Sequence, residues 1–164
     1  MNVLVIGAGN MGSALVKQFA LAGHRVSVTA RDAAKAQAVA AAHAGVSAVV
    51  ASGAAAAADI VVLATAYGDA VAAAKSVGDL AGKTVIDISN PLNFDTWDEL
   101  VVPADSSAAQ LLQSWLPDSK VVKGFNTTFA ATLQSGKIGD LPTTVLLAGD
   151  DQEAKGTIKE ALAG

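Results

Sequence analysis

The chain runs to 164 residues, 52% hydrophobic and 16% charged, with a net charge of −4 and no cysteine. That length suits one α/β domain over residues 1–164, and the lack of cysteine excludes disulfides, thiolate metal sites and cysteine nucleophiles. A negative balance without a basic cluster argues against a nucleic-acid partner, and no apolar run nears the roughly 18 residues of a membrane helix.

The chain opens on the strand-like Asn2-Val3-Leu4-Val5-Ile6 with no leader in front of it, so a cytoplasmic protein is expected. Strands are predicted over 3–6, 25–29, 60–64, 84–88, 120–125 and 143–148, with a short one over 46–50. Helices are predicted over 11–22, 32–43, 70–77 and 107–115 and from about 152, with Ser52 capping a brief alanine helix. Residues 90–103 read as a long irregular loop. Runs such as Ile60-Val61-Val62-Leu63 are apolar at consecutive positions, as a strand covered on both faces requires. The alternation of strand and helix predicts a three-layer, doubly wound Rossmann fold of the α/β class with a mostly parallel sheet.

Gly7-Ala8-Gly9-Asn10-Met11-Gly12 joins the first strand to the first helix. Gly7 permits the tight turn, Gly9 lets backbone approach a pyrophosphate, and Gly12 lets helix pack on strand. The helix start offers free N–H groups and a partial positive charge to the phosphates. Where NAD-binding domains place a carboxylate after the second strand, this chain has Thr29-Ala30-Arg31. A guanidinium binds a ribose 2′-phosphate that a carboxylate would repel, so NADP (NADPH) is the expected cofactor. Asp32 caps the next helix or reaches a ribose.

Ala64, Thr65 and Tyr67 after the fourth strand, and Asn90 and Pro91 after the fifth, fall on the edge where parallel sheets bind ligands, and are expected to line the cofactor crevice. Asn90 is either a turn residue before proline or a nicotinamide contact. Asn126, Thr127 and Thr128 after the sixth strand are candidates to orient an electron acceptor, with Phe125 as an apolar wall; Thr127 or Thr128 is equally a candidate helix cap. Asn93, Phe94 and Trp97 either cover the crevice or fill a peripheral core, and Trp115 is expected to pack. His24 and His43 lie at the opposite edge, where exposed loop residues or helix C-terminal charges are expected. No nucleophile–base arrangement or metal-ligand cluster is readable, so hydride transfer, in which the cofactor carries the reactive atom, remains.

GAGNMG, TAR after the second strand, ISNPLNF, VVKGFNTTFAATL and NPLNFDTWDELVVPADSSAAQ together resemble the coenzyme F420 (deazaflavin)-dependent NADP oxidoreductase family, chiefly its bacterial dinucleotide-binding members. The resemblance runs over nearly the whole chain. It implies NADP held through Gly9, Asn10, Met11, Thr29 and Arg31, hydride exchange between nicotinamide and a deazaflavin, flavin or similar small-molecule acceptor, and a homodimer. Members that use the deazaflavin carry a histidine where this chain has Asn126, and members run on past the position of Gly164, so a C-terminal segment of the family is expected to be absent. A non-catalytic NADP-binding sensor or partner-binding module is the rival expectation. An imine or hydroxy-acid reductase is a third, for which the sequence offers no evident catalytic lysine or helical second domain.

Overall fold

The computed structural model describes residues 1–163; Gly164, the last residue of the expected domain, lies outside the described residues. Six parallel strands, β1 (Asn2–Ile6), β2 (Arg25–Thr29), β3 (Val46–Ala48), β4 (Ile60–Leu63), β5 (Thr84–Asp87) and β6 (Lys120–Gly124), line up in the order β3-β2-β1-β4-β5-β6. The order reverses between β1 and β4, the switch point at which open α/β sheets bind ligands. The helices are α1 (Asn10–Leu21), α2 (Ala33–Ala41), α3 (Ala70–Ser76), α4 (Ala108–Trp115), α5 (Ala130–Ser135) and α6 (Gln152–Ala161).

Each central strand feeds two cores because successive side chains point to opposite faces. Val3, Val5, Ile60, Val62, Ile86 and Val122 pack with Leu15 and Phe19 of α1, Leu133 of α5 and Ile158 of α6. Leu4, Ile6, Val61, Leu63, Val85 and Val121 pack on the other face with Ala70 and Ala74 of α3 and Leu112 of α4. The predicted three layers are thus observed, and no helix among the described residues is long and apolar enough to cross a membrane.

Several local expectations are corrected. The strand predicted over 143–148 shortens to β9 (Leu147–Ala148), which pairs antiparallel with β6. Thr143 is held instead by α5, its N–H donating to the Gly136 carbonyl and its hydroxyl to that of Thr132, so the chain reaches the sheet late. The brief alanine helix is a 3-10 turn over Ala54–Ala57 capped by left-handed Gly53; Ser52 does not cap it. Neither Thr127 nor Thr128 caps α5, whose N-cap is Phe129 with no side-chain hydrogen bond. The expected loop at 90–103 folds back on itself through a Leu92–Leu100 bridge and a Val101 N–H bond to the Pro91 carbonyl. A hairpin of two short strands, β7 (Lys137–Ile138) and β8 (Leu141–Pro142), turns at the hairpin dipeptide Gly139-Asp140.

Several helix starts other than that of α1 are closed by side chains. Asp32 accepts from the N–H groups of Ala34 and Lys35, Ser107 from Gln110 and Asp151 from Ala154. Gln18 and Lys17 of α1 donate to the Leu133 and Gln134 carbonyls at the end of α5, each at 2.7 Å. His24 is drawn out of solvent: its Nε2 lies 2.8 Å from the Ala161 carbonyl at the end of α6. Lys120 is ion-paired with Glu153 and Asp151 at the start of α6, and the Glu153 hydrogen bond leads the effects that raise its pKa.

Candidate functional site

A cleft of about 800 Å³ opens at the C-terminal ends of β1, β2 and β4. Gly7, Gly9, Asn10, Thr29, Arg31, Ala64 and Thr65, all proposed from the sequence, line it. The glycines answer different demands. Gly7 has φ of +121°, and a Cβ there would lie 2.2 Å from the Ala64 carbonyl oxygen; a Cβ at Gly12 would lie 2.0 Å from the Gly7 carbonyl oxygen. Both are required by the packing of β1, α1 and β4. Gly9, the N-cap of α1, has φ of −81°, which any residue adopts, and nothing lies within 4 Å of a Cβ built on it. The fold itself gives no reason for glycine at position 9, whereas a ligand seated in that open space does.

The N-terminus of α1 has no side-chain cap and no acidic residue in its first turn. Its leading N–H groups, including those of Asn10 and Met11, therefore face the cleft as unused donors beside a positive helix end. Met11 packs its side chain on the core, which leaves only its backbone for a ligand. Thr65 adds a second unused group, its buried hydroxyl having no partner. A pyrophosphate matches this uncapped glycine turn, so the residues present fit a dinucleotide.

At the far end Arg31 is 90% exposed at its side chain, and its Nη2 lies 3.3 Å from Asp69 Oδ2 at the foot of α3. Two residues that the sequence reading missed belong here. Lys35, in the first turn of α2, lines the same cleft as Arg31, which precedes that helix and its Asp32 cap. Asp69 arrives from the turn after β4, and only the crossing of the chain brings it to Arg31. Asp32, expected as a ribose contact or a cap, caps α2 through Oδ1 and also lines this cleft.

Tyr67 is a correction: it lines a small groove between α3 and α4 with Val71, Leu111 and Trp115, not the main cleft. Trp115, expected to pack, is 59% exposed, with Lys75 Nζ 5.3 Å from its ring centroid. Phe94 and Trp97 stack edge-to-face at 5.1 Å and remain exposed, so they neither cover the cleft nor fill a core.

A second cleft, about 880 Å³, runs along β6 from Lys120 to Asn126; Asn90 and Pro91, expected in the cofactor crevice, line this cleft and not the first, together with Lys123 and Leu100. Asn90 and Asn126 face each other: Asn90 Nδ2 donates to the Asn126 carbonyl at 3.2 Å, and Asn126 Nδ2 to Asn90 Oδ1 at 3.4 Å. A residue proposed for the nicotinamide and one proposed for the acceptor are thus joined directly. Phe125 is not an acceptor wall; it is fully buried in the core, and its left-handed backbone (φ +63°) turns the chain out after β6. Thr127 is exposed, while the Thr128 hydroxyl is buried without a partner. In the wall of this cleft the half-buried Lys123 pairs its Nζ with Oδ2 of the buried Asp87 at 2.9 Å, a contact that the sequence reading did not single out.

Among known proteins, the metalloreductase STEAP3 of Rattus norvegicus is 40% identical over 81 residues, which make up 49% of this chain and 15% of the relative. The F420-dependent NADP reductase of Methanocaldococcus jannaschii is 35% identical over 80 residues, 47% of this chain and 35% of the relative. The chain thus spans about a third or less of the length of the curated relatives it matches. The crystal structure of a provisionally named F420-dependent NADP reductase from Arthrobacter sp. FB24 superposes with a TM-score of 0.84 at 28% identity, covering 98% of this chain and 78% of that one. Residues 2–91, which contain the glycine turn, Arg31, Asp69 and Asn90, match the profile of the family described as NADP oxidoreductase, coenzyme F420-dependent, and the chain belongs to that family.

Proposed function

We propose that the chain binds NADPH in the first cleft and passes a hydride to a planar acceptor of the deazaflavin or flavin type held beside Asn90 and Asn126. The observation that carries this reading is the open space over Gly9 at the uncapped start of α1, with Arg31 at the other end of the same cleft. When bound, the reduced nicotinamide supplies the hydride.

The chain's own residues bind and orient. Backbone N–H groups of α1 take the diphosphate, and Arg31 turns from Asp69 toward a 2′-phosphate, with Thr29 and Lys35 on the same wall. From there the dinucleotide's other half runs over β4 toward the end of β5, where Thr65 and then Asn90 stand in order across the sheet. The family membership and the Methanocaldococcus relative support the same chemistry.

Calorimetry with NADP and NAD, and absorbance assays of NADPH with deazaflavin and flavin side by side, test the reading. NADP should bind more tightly than NAD, and Arg31→Ala should cut that preference by about tenfold through loss of a charge-assisted contact. Tighter binding of NAD would overturn the electrostatic argument. Binding without oxidation by either acceptor would favour the NADP-binding module over the enzyme.

A further inference from the structure

Asp87 and Lys123 meet near the C-terminal ends of β5 and β6. Asp87 is 1% exposed and the Lys123 side chain 16% exposed. Their carboxylate and ammonium pair at 2.9 Å on the face of the sheet that α4 covers. The same two side chains also hold Ser89: its N–H donates to Asp87 Oδ1 at 2.9 Å, and its carbonyl accepts from Lys123 Nζ. Both peptide groups flanking one residue are therefore fixed by one ion pair. The next residue is Asn90, whose amide reaches across to Asn126.

A buried ion pair adds little net stability, because desolvating both charges offsets most of their attraction. Its use is geometric. A charge-assisted bond at each side of Ser89 leaves the turn into Asn90-Pro91 little freedom. By strand order this turn lies where the nicotinamide half of a dinucleotide would end after crossing β4.

We infer that Lys123 and Asp87 are positioning residues that clamp Ser89 and thereby set Asn90 for the nicotinamide end of the cofactor. The inference rests on the NADPH reading above and adds to it the groups that hold the reacting end in place, as distinct from those that hold the adenosine end. Hydride transfer needs the ring aligned to a fraction of an ångström, so loosening this turn should cost rate while leaving the adenosine end untouched.

The experiment separates the two ends of the ligand. Lys123→Met alone leaves a buried uncompensated carboxylate and risks unfolding, so the working variant is Asp87→Asn/Lys123→Met, with Asn90→Ala at an exposed position as the second and Lys123→Arg as the conservative one. Each is measured for affinity to 2′,5′-ADP by calorimetry, for the rise in reduced-nicotinamide emission when NADPH binds, and for NADPH turnover. The double variant should keep 2′,5′-ADP affinity within about twofold. It should lose most of the emission rise, and turnover should fall about ten- to hundredfold. Asn90→Ala should reproduce that signature and Lys123→Arg should largely restore wild-type behaviour. An unchanged emission rise and turnover in the folded double variant or in Asn90→Ala, or an equal loss of 2′,5′-ADP affinity, overturns the positioning role. If the wild-type protein binds neither 2′,5′-ADP nor NADPH, the proposed function falls and this inference with it, a result distinct from all the others.

Discussion

Gly9 and Gly7 stand two residues apart, yet substitution should separate them cleanly. Gly9→Ala places a methyl group in open space on ordinary backbone, so stability should change by no more than about 1 kcal/mol, the poorer helix cap being partly offset by the lower entropy of the unfolded chain. Dinucleotide affinity should fall more than about tenfold, because the methyl occupies the approach to the diphosphate. Gly7→Ala should do the reverse damage: the Cβ collides with the Ala64 carbonyl on a backbone of φ +121°, and the loss should be at least about 2 kcal/mol. Denaturant titration paired with calorimetry distinguishes the two, and a Gly9→Ala protein that binds NADP normally would remove the main support for the site. At this scale the sequence was informative where chemistry is local. The glycine turn, Thr29 and Arg31 are adjacent in the chain to the elements that place them, so their role could be read from order alone. Asp69 and Lys123 could not: each acquires its meaning from a distant partner, Arg31 lying 38 residues from Asp69 and Asp87 lying 36 from Lys123 along the chain.

Among the elements, the central strands and the longer helices matched their predicted positions closely, because a buried parallel strand writes a continuous apolar run that few other structures need. The margins of the sheet behaved differently. β9 holds only two residues, since Thr143 is captured by α5 and Gly124 leaves room for Leu147, whose Cδ2 would sit 2.8 Å from a Cβ at that position. β-propensity alone could not foresee that competition. The helix that follows is nonetheless integral. Ile158 of α6 is fully buried against the sheet, and α6 also receives the His24 and Lys120 contacts. Ile158→Ala should therefore cost about 2–5 kcal/mol in denaturant unfolding while leaving the NADP affinity of the folded protein unchanged, since α6 does not line the first cleft. A loss below about 0.5 kcal/mol would mean that α6 is a detachable appendage.

For the molecule as a whole, the first cleft draws on β1, β2 and β4 and the helices that follow them, so a ligand there is tied to the folded state. NADP at about a hundred times its dissociation constant should add about 2.7 kcal/mol to stability, which for a domain of this size raises the melting temperature by about 5–10 °C. NAD at the same concentration should raise it less, and a shift equal for both would count against Arg31 as the discriminating group. Composition and pattern alone determined the layered α/β class, the nucleotide turn and the positive residue beyond the second strand, because each is encoded in a short stretch whose physics is complete within a few residues. The tertiary structure alone decided the Arg31–Asp69 pair, the turn held by Lys123 and Asp87, the Asn90–Asn126 link and the burial of Phe125. These depend on how separate strands are brought side by side, and that placement is settled by packing on both faces of the sheet and by no single segment of the chain.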